Sequence, residues 1–290
     1  MSAPLFIAMP GNQTMAAALA AQCGGVTGTL GVASFPDGES HLRFIDDLAG
    51  RSAVLVCTLD RPNDKVLPLL LAADAARDLG ARRLGLVAPY LCYMRQDRRF
   101  ESGEAVTSRS FASLLSVRFD WLATVDPHLH RYHDLSEIYS IPARALHAGP
   151  ALAAWISAHV ENPFLIGPDE ESRQWVGAVA AACGAGFAVF AKQRMGDRLV
   201  RTRPGDLKLP ENTTPVLLDD IISTGVTMLE AARLVKAEGG WPPLMIGIHG
   251  ILADRAILDA NLVTTNSIPN PAAKIDIAPV IAGGISDLIA

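Results

Sequence analysis

Short apolar runs recur along the chain, each followed by a stretch with helical spacing. In the first half "PLFIAM", "AVLVCTL", "RLGLVAPY" and "WLATVD" read as buried strands, with helices at Asn63–Leu79, stopped by Gly80, and at Thr107–Val117. Pro68 falls inside the first helix and is expected to kink it or move its start. The second half repeats the plan: "PFLIGPD", "FAVFAK", "PVLLDD" and "PLMIGIHG" read as strands, with helices near Glu170–Cys183 and Thr227–Glu238. This alternation predicts an α/β fold of two similar domains, each a mainly parallel sheet flanked by helices. The segment "IPARALHAGP", with two prolines and a glycine, places the division at 1–145 and 146–290. Roughly the final 10–15 residues are expected to pack back on the first domain.

Composition narrows the class. The chain has 290 residues, half of them apolar, which suffices for two cores. A formal charge of −5 argues against a general nucleic-acid or membrane-surface binder. Cys23, Cys57, Cys92 and Cys183 lie far apart without a C-x-x-C pair, so neither a zinc site nor a disulfide framework is indicated, and reduced thiols fit a cytoplasmic protein. "MSAPLFIAMPGN" lacks the basic start and long apolar run of a signal peptide. The long uncharged run Trp175–Ala191 is broken by "CGAG" and reads as helix, turn and buried strand rather than a membrane span.

Candidate chemistry gathers just after the strands, where open α/β sheets bind ligands. In "VLLDDIISTGVTM", Asp219 and Asp220 end a strand, and Ser223, Thr224, Gly225, Val226 and Thr227 lead into a helix. Thr227 through Glu230 has capping-box form. Backbone N–H groups at such a helix start make an anion site, and adjacent carboxylates suit sugar hydroxyls, so a ribose 5-phosphate unit is a coherent ligand. A capped helix beside solvated acids is the bland reading of the same residues.

Other motifs extend the picture. Arg95, Gln96, Asp97, Arg98 and Arg99 follow "PYLCYM"; arginines bind phosphate bidentately and glutamine can read a base edge, though a solvated basic turn would look the same. "VDPHLHRYH" brings His128, His130 and His133 close together, but no cysteine or spaced ligand completes a zinc site. One histidine, His128, with Asp169 of "IGPDEES" suits Mg²⁺. Lys192 and Arg194 follow "FAVFA" and could stabilise a transferring diphosphoryl group, with "MGDRLVRTRPGD" beyond them as a flap or a plain hairpin.

"LLDDIISTGVTM" resembles the loop that binds 5-phosphoribosyl 1-diphosphate (PRPP) in type I phosphoribosyltransferases and PRPP synthetases. Val226 stands where glycine is frequent, which requires a negative φ there, and Ser223 stands where many synthetases have aspartate. Together with "SFPDGESHLRF", "PYLCYMRQDRRFESGEAVTSR", "TVDPHLHRYHDL", "FAVFAKQRMGDR" and "TTNSIPNPAAKIDIAP", the order from Phe35 to about Pro279 resembles the ribose-phosphate diphosphokinase family, closer to its short archaeal-type branch. The resemblance implies a type I phosphoribosyltransferase-like fold and the reaction ATP + ribose 5-phosphate → AMP + PRPP, with Mg²⁺. It implies ATP contacts from Phe35, Asp37, Glu39, Arg95, Gln96, Asp97 and Arg98, magnesium at His128 and Asp169, and transition-state stabilisation by Lys192 and Arg194. It gives ribose 5-phosphate to Asp219, Asp220 and residues 223–227. It also implies a homodimer or larger homo-oligomer in which "FPDGE" reaches a neighbour's ATP site, with no nucleic-acid or membrane partner. A PRPP-consuming phosphoribosyltransferase and a catalytically silent regulatory member are the alternatives.

Overall fold

The structure, a computed structural model, describes residues 3–190, 192–194, 200–202, 209–237, 241–254, 257–258 and 261–289. The chain divides into two compact units, Met1–His147 with Ala278–Ala290, and Ala148–Ile277.

Unit 1 opens with β1 (Leu5–Ala8), α1 (Gln13–Gln22) and β2 (Val26–Gly28), then a hairpin of β3 (Leu30–Ser34) and β4 (Ser40–Phe44). It continues through β5 (Ser52–Val56), α2 (Asn63–Asp78), β6 (Arg83–Ala88), α3 (Thr107–Ser116), β7 (Trp121–Val125) and β8 (Ala143–Leu146). Six strands form one parallel sheet in the order β2-β1-β5-β6-β7-β8. β5 and β7 are buried along their whole length, as strands covered on both faces must be. Ile7, Leu55, Leu86 and Leu122 of the sheet pack with Leu69 of α2 and Phe111 of α3. Gly85 faces Trp121 in register, and a Cβ there would lie 2.1 Å from two indole carbons, so only glycine leaves room for the ring. Pro68 does not move the start of α2: the helix begins at Asn63 and contains it. The bond it deletes is to the carbonyl of Asp64, an exposed residue where water can substitute.

Unit 2 comprises α4 (Gly149–His159), β9 (Pro163–Gly167), α5 (Arg173–Cys183), β10 (Gly186–Val189), a hairpin of β11 (Lys192–Arg194) and β12 (Val200–Thr202), β13 (Thr214–Ile222), α6 (Val226–Ala237), β14 (Leu244–Gly250), β15 (Leu262–Thr265) and β16 (Ala273–Ile275). α7 (Ala278–Ile285) follows and belongs to unit 1, where it packs on β7 and β8. The sheet runs β10-β9-β13-β14-β15-β16, all neighbours parallel. Counted in chain order, both sheets therefore run 2-1-3-4-5-6, with an antiparallel hairpin inserted after the second strand. β10 is not the buried strand expected of "FAVFA": it is an edge strand with exposed or half-exposed residues, because nothing pairs with its outer side in the sheet. No helix among the described residues is long and apolar enough to cross a membrane.

Candidate active site

Unit 2 changes strand direction of travel between β9 and β13, the switch point where a doubly wound sheet opens a crevice. β13 pairs with β9 only as far as Leu217, so Asp219 and Asp220 project beyond the end of β9, beside the segment holding Asp169. Asp169 caps the 3₁₀ turn Glu170–Ser172, its carboxylate accepting from the Ser172 N–H at 3.1 Å. The Asp219 and Asp220 carboxylates each accept from the next residue's backbone N–H, at 3.0 and 2.8 Å. Burial first, then the neighbouring Asp220 and Asp169 carboxylates, push the Asp219 carboxyl well above the usual carboxylate range. A cation is what this corner favours.

The turn after β13 is held by its carbonyls. The Ile222 C=O accepts from Ile251 at 2.9 Å and Leu252 at 3.2 Å, and the Ser223 C=O from Ala253 at 2.9 Å. The N–H groups of Thr224 through Thr227 make no hydrogen bond among the described residues, and they surround the first turn of α6. Gly225, at φ +79°, swings the chain into the helix, and its carbonyl accepts from the Leu229 N–H at 2.9 Å. A Cβ on Gly225 would lie 2.3 Å from Cδ1 of buried Ile257. The capping box expected at Thr227–Glu230 does not form: the left-handed glycine starts α6 one residue earlier, which places Thr227 inside the helix. Val226 is its first residue, outside the positive-φ region and exposed, so the valine is accommodated without strain. The result is a ring of free donors at a helix N-terminus, next to carboxylates, open to an anion.

Lys192 and Arg194 both lie on β11, paired with β12. Their side chains, and residues 195–199 and 203–206 of the proposed flap, lie outside the described residues, as does Glu238 at the expected helix end.

In unit 1, "FPDGE" forms the tip of the β3–β4 hairpin. The Phe35 N–H donates to the Glu39 C=O at 2.8 Å, and the Glu39 N–H donates to Asp37 Oδ1 at 3.1 Å. Phe35, Asp37 and Glu39 are all exposed, and the Phe35 ring meets His41 edge-on at 5.6 Å. Arg95 and Arg98 point outward from the loop after β6, Gln96 is half-buried, and Asp97 is buried. His128 is half-buried in the loop after β7, its ring stacked 6.2 Å from that of His130. His128 and Asp169 thus belong to different units, and neither unit alone brings them together.

Two residues that the motifs did not single out shape these loops: Arg131, which ion-pairs with Asp97, and Ile257, which backs Gly225. Ile257 is one more apolar residue in the sequence, and only the structure shows its role.

These loops on this topology define a two-unit α/β protein whose second unit sets open N–H groups beside carboxylates at a sheet switch point. Residues 134–255 match the phosphoribosyl transferase domain, and residues 5–118 match the N-terminal domain of ribose phosphate pyrophosphokinase. The ribose-phosphate pyrophosphokinase of Methanopyrus kandleri is 35% identical over 263 residues, covering 88% of this chain and 89% of that protein. The enzyme of the same name from Pyrococcus furiosus is 31% identical over 258 residues, covering 86% and 90%. The chain belongs to the ribose-phosphate pyrophosphokinase family. The crystal structure of phosphoribosylpyrophosphate synthetase from Mycobacterium smegmatis shares the fold, with a TM-score of 0.84 at 24% identity over 99% of each chain.

Proposed function

We infer that the chain transfers the diphosphoryl group of ATP to the 1-hydroxyl of ribose 5-phosphate, giving PRPP and AMP for nucleotide synthesis. The observation that carries this reading is the span of the likeness, which takes in both units and nearly the whole of each pyrophosphokinase relative. A phosphoribosyltransferase would need the unit 2 loop but has no use for the pyrophosphokinase N-terminal domain.

The anomeric hydroxyl oxygen bonds to the β-phosphorus, the bond from that phosphorus to the α,β-bridging oxygen breaks, and AMP leaves with the bridging oxygen. The hydroxyl proton passes to water. The loop N–H groups at 224–227 hold the 5-phosphate, Asp219 and Asp220 take the ribose hydroxyls, and Lys192 and Arg194 offset charge on the transferring group. Phe35, Asp37, Glu39, Arg95, Gln96 and Arg98 serve the nucleotide. Positioning and charge stabilisation supply the rate, with no general base required.

Magnesium suits the donor chemistry of unit 2. Asp169, Asp219 and Asp220 are hard oxygen donors, and a divalent cation would offset the burial and mutual repulsion that raise the Asp219 carboxyl. Among the described residues no three His, Cys, Asp or Glu side chains form a ready cage, so most ligands come from water and phosphate. Asp169 and His128 would be its protein ligands, and bound Mg²⁺ would supply charge neutralisation at the phosphates of ATP. The protein is read as a cytoplasmic homo-oligomer in which the "FPDGE" tip completes a neighbour's ATP site.

The test is purified protein with Mg-ATP, with and without ribose 5-phosphate, followed by chromatography. AMP and PRPP should form together, only with the sugar present, and chelating Mg²⁺ should stop both. Formation of ADP would refute β-attack, and nucleobase-dependent release of diphosphate from PRPP would establish the transferase instead.

A further inference from the structure

Asp97 sits amid the polar run Arg95–Arg99, yet its side chain is only 2% exposed. Its two carboxylate oxygens accept from Arg131 Nη1 at 3.1 and 3.2 Å. Arg131 follows His128 in the loop after β7, so this pair joins the arginine-rich loop to the histidine loop. The next residue repeats the connection through the backbone: Tyr132 Oη donates to the Asp97 C=O at 3.1 Å. With its hydrogen so used, Tyr132 Oη accepts from buried Ser108 Oγ, 3.2 Å away at the start of α3. The Ser108 N–H in turn donates to the Gln96 C=O at 3.3 Å. Outside this buried chain, the guanidiniums of Arg98 and Arg131 lie 5.0 and 5.7 Å from the exposed Phe100 ring. Every link lies within unit 1.

A buried carboxylate with both oxygens already accepting from a half-exposed arginine of its own chain has little left to offer a nucleotide. Its effect is on its neighbours: because Asp97 is drawn inward, Arg95 and Arg98 on either side are turned outward. We propose that Asp97 and Arg131 form a clasp that positions the Arg95–Arg98 loop and the His128 loop for ATP, and that both are positioning residues rather than ATP contacts. This rests on the reading of the protein as a pyrophosphokinase. Removing either partner leaves the other charge buried or half-buried without its mate and lets both loops drift.

The experiment is a double-mutant cycle with Asp97→Asn and Arg131→Gln, measuring kcat and KM for each substrate. Each single variant should lose on the order of 10- to 10²-fold in kcat/KM for ATP, the scale of displacing reacting groups by about 1 Å. KM for ribose 5-phosphate should change less than about twofold, since its site lies on other loops. The double variant should be no worse than the poorer single one, because one clasp can be broken only once. Arg131→Lys, which keeps the charge but not the fork, should fall between wild type and Arg131→Gln. Losses that multiply in the double variant would make Asp97 a direct ligand and overturn the clasp. Equal losses toward both substrates with a lowered Tm would make the pair merely structural and also overturn it. If Asp97→Asn does not fold, the half-exposed Arg131→Gln and Arg131→Lys decide through the same split between ATP and ribose 5-phosphate. Wild type that makes no AMP would instead refute the parent reading, whereas active wild type with unselective variants refutes the clasp alone.

Discussion

Replacing Gly225 by alanine tests whether the phosphate loop is held in its shape by backbone conformation and by one side chain behind it. At φ +79° an L-residue pays about 1–2 kcal/mol. The new methyl would meet Ile257 at 2.3 Å (Cδ1), 2.9 Å (Cγ1) and 3.1 Å (Cβ), and Ile257 is fully buried. Overpacking of that kind costs about 1–3 kcal/mol. The two together give about 2–5 kcal/mol in an otherwise native background. Removing Ile257 Cγ1, Cγ2 and Cδ1 by Ile257→Ala costs about 2–5 kcal/mol on its own, but leaves only the 3.1 Å approach to Cβ. In that background Gly225→Ala should cost only the backbone part, about 1–2 kcal/mol. The assay is equilibrium urea unfolding read by the fluorescence of Trp155, Trp175 and Trp241, all in unit 2. In parallel, KM for ribose 5-phosphate should rise for Gly225→Ala, because the N–H groups of 224–227 move with the turn. An equal cost of Gly225→Ala in both backgrounds would refute the steric argument. A cost below about 1 kcal/mol would show that the left-handed turn is not required.

Other substitutions probe other terms. Asp219→Asn should stabilise the ligand-free protein: a carboxyl that binds its proton more tightly folded than unfolded loses stability as pH rises, and at neutral pH the amide removes that cost. The same change should weaken ribose 5-phosphate by about 10- to 150-fold, the worth of a hydrogen bond to a charged group, and leave ATP affinity intact; a lower Tm with loss of both ligands would refute this. Asp287 lies near the end of the chain and is held down to about 2, chiefly by its hydrogen bonds from Arg144 at 2.6 and 2.8 Å. A depressed acid stabilises above its unfolded value and loses that contribution as pH falls through the folded one, so the small gap in urea midpoint between wild type and Asp287→Asn should be constant from about pH 5 upward and shrink below about pH 4. A gap that does not shrink as pH falls from 5 to about 2 would show the pair is not its source. Lys192→Ala should lower kcat by roughly 10²–10³, and mixed oligomers with Glu39→Ala should regain activity that neither pure variant has; verified mixed oligomers without recovery would exclude the shared site.

The sheet strands were legible because a strand covered on both faces must be apolar throughout, and β5, β6 and β7 contain such runs. Asp219, Asp220 and the turn after them were legible for a related reason: acids and hydroxyls stand out at the end of an apolar strand. The β3–β4 hairpin was not, because it has no fully buried residue and hence no apolar run: one face is exposed and the other only half-buried, with Leu30 and Phe44 resting on the core. The start of α6 was misplaced by the capping-box pattern, since nothing in "STGVT" announces that Gly225 turns left-handed. Arg131 was hidden by distance: 34 residues separate it from Asp97, and among five polar residues in a row no local signal tells the buried one from the rest.

The shared 2-1-3-4-5-6 order makes the loop between β5 and α2 the counterpart of the loop between β13 and α6, and the two have opposite chemistry. Where unit 2 has Asp219 and Asp220 on the projecting strand, β5 is apolar and buried to its end. Where unit 2 leaves N–H groups open, unit 1 uses the first two of its loop: the Thr58 N–H donates to Asn12 Oδ1 at 2.8 Å and the Leu59 N–H to the Tyr90 C=O at 3.0 Å. Pro62 has no N–H to give, and Lys65, the nearby cation, is ion-paired with Asp60 and donates to the Thr58 C=O at 3.1 Å. A phosphate brought to this loop would meet the carboxylates of Asp60 and Asp64 beside the ion-paired Lys65, a less favourable setting than the donors of unit 2. On the function proposed above, the first unit's loops after β6 and β7, with the hairpin tip, serve the nucleotide, the division of labour that transfer between two different phosphorylated substrates requires.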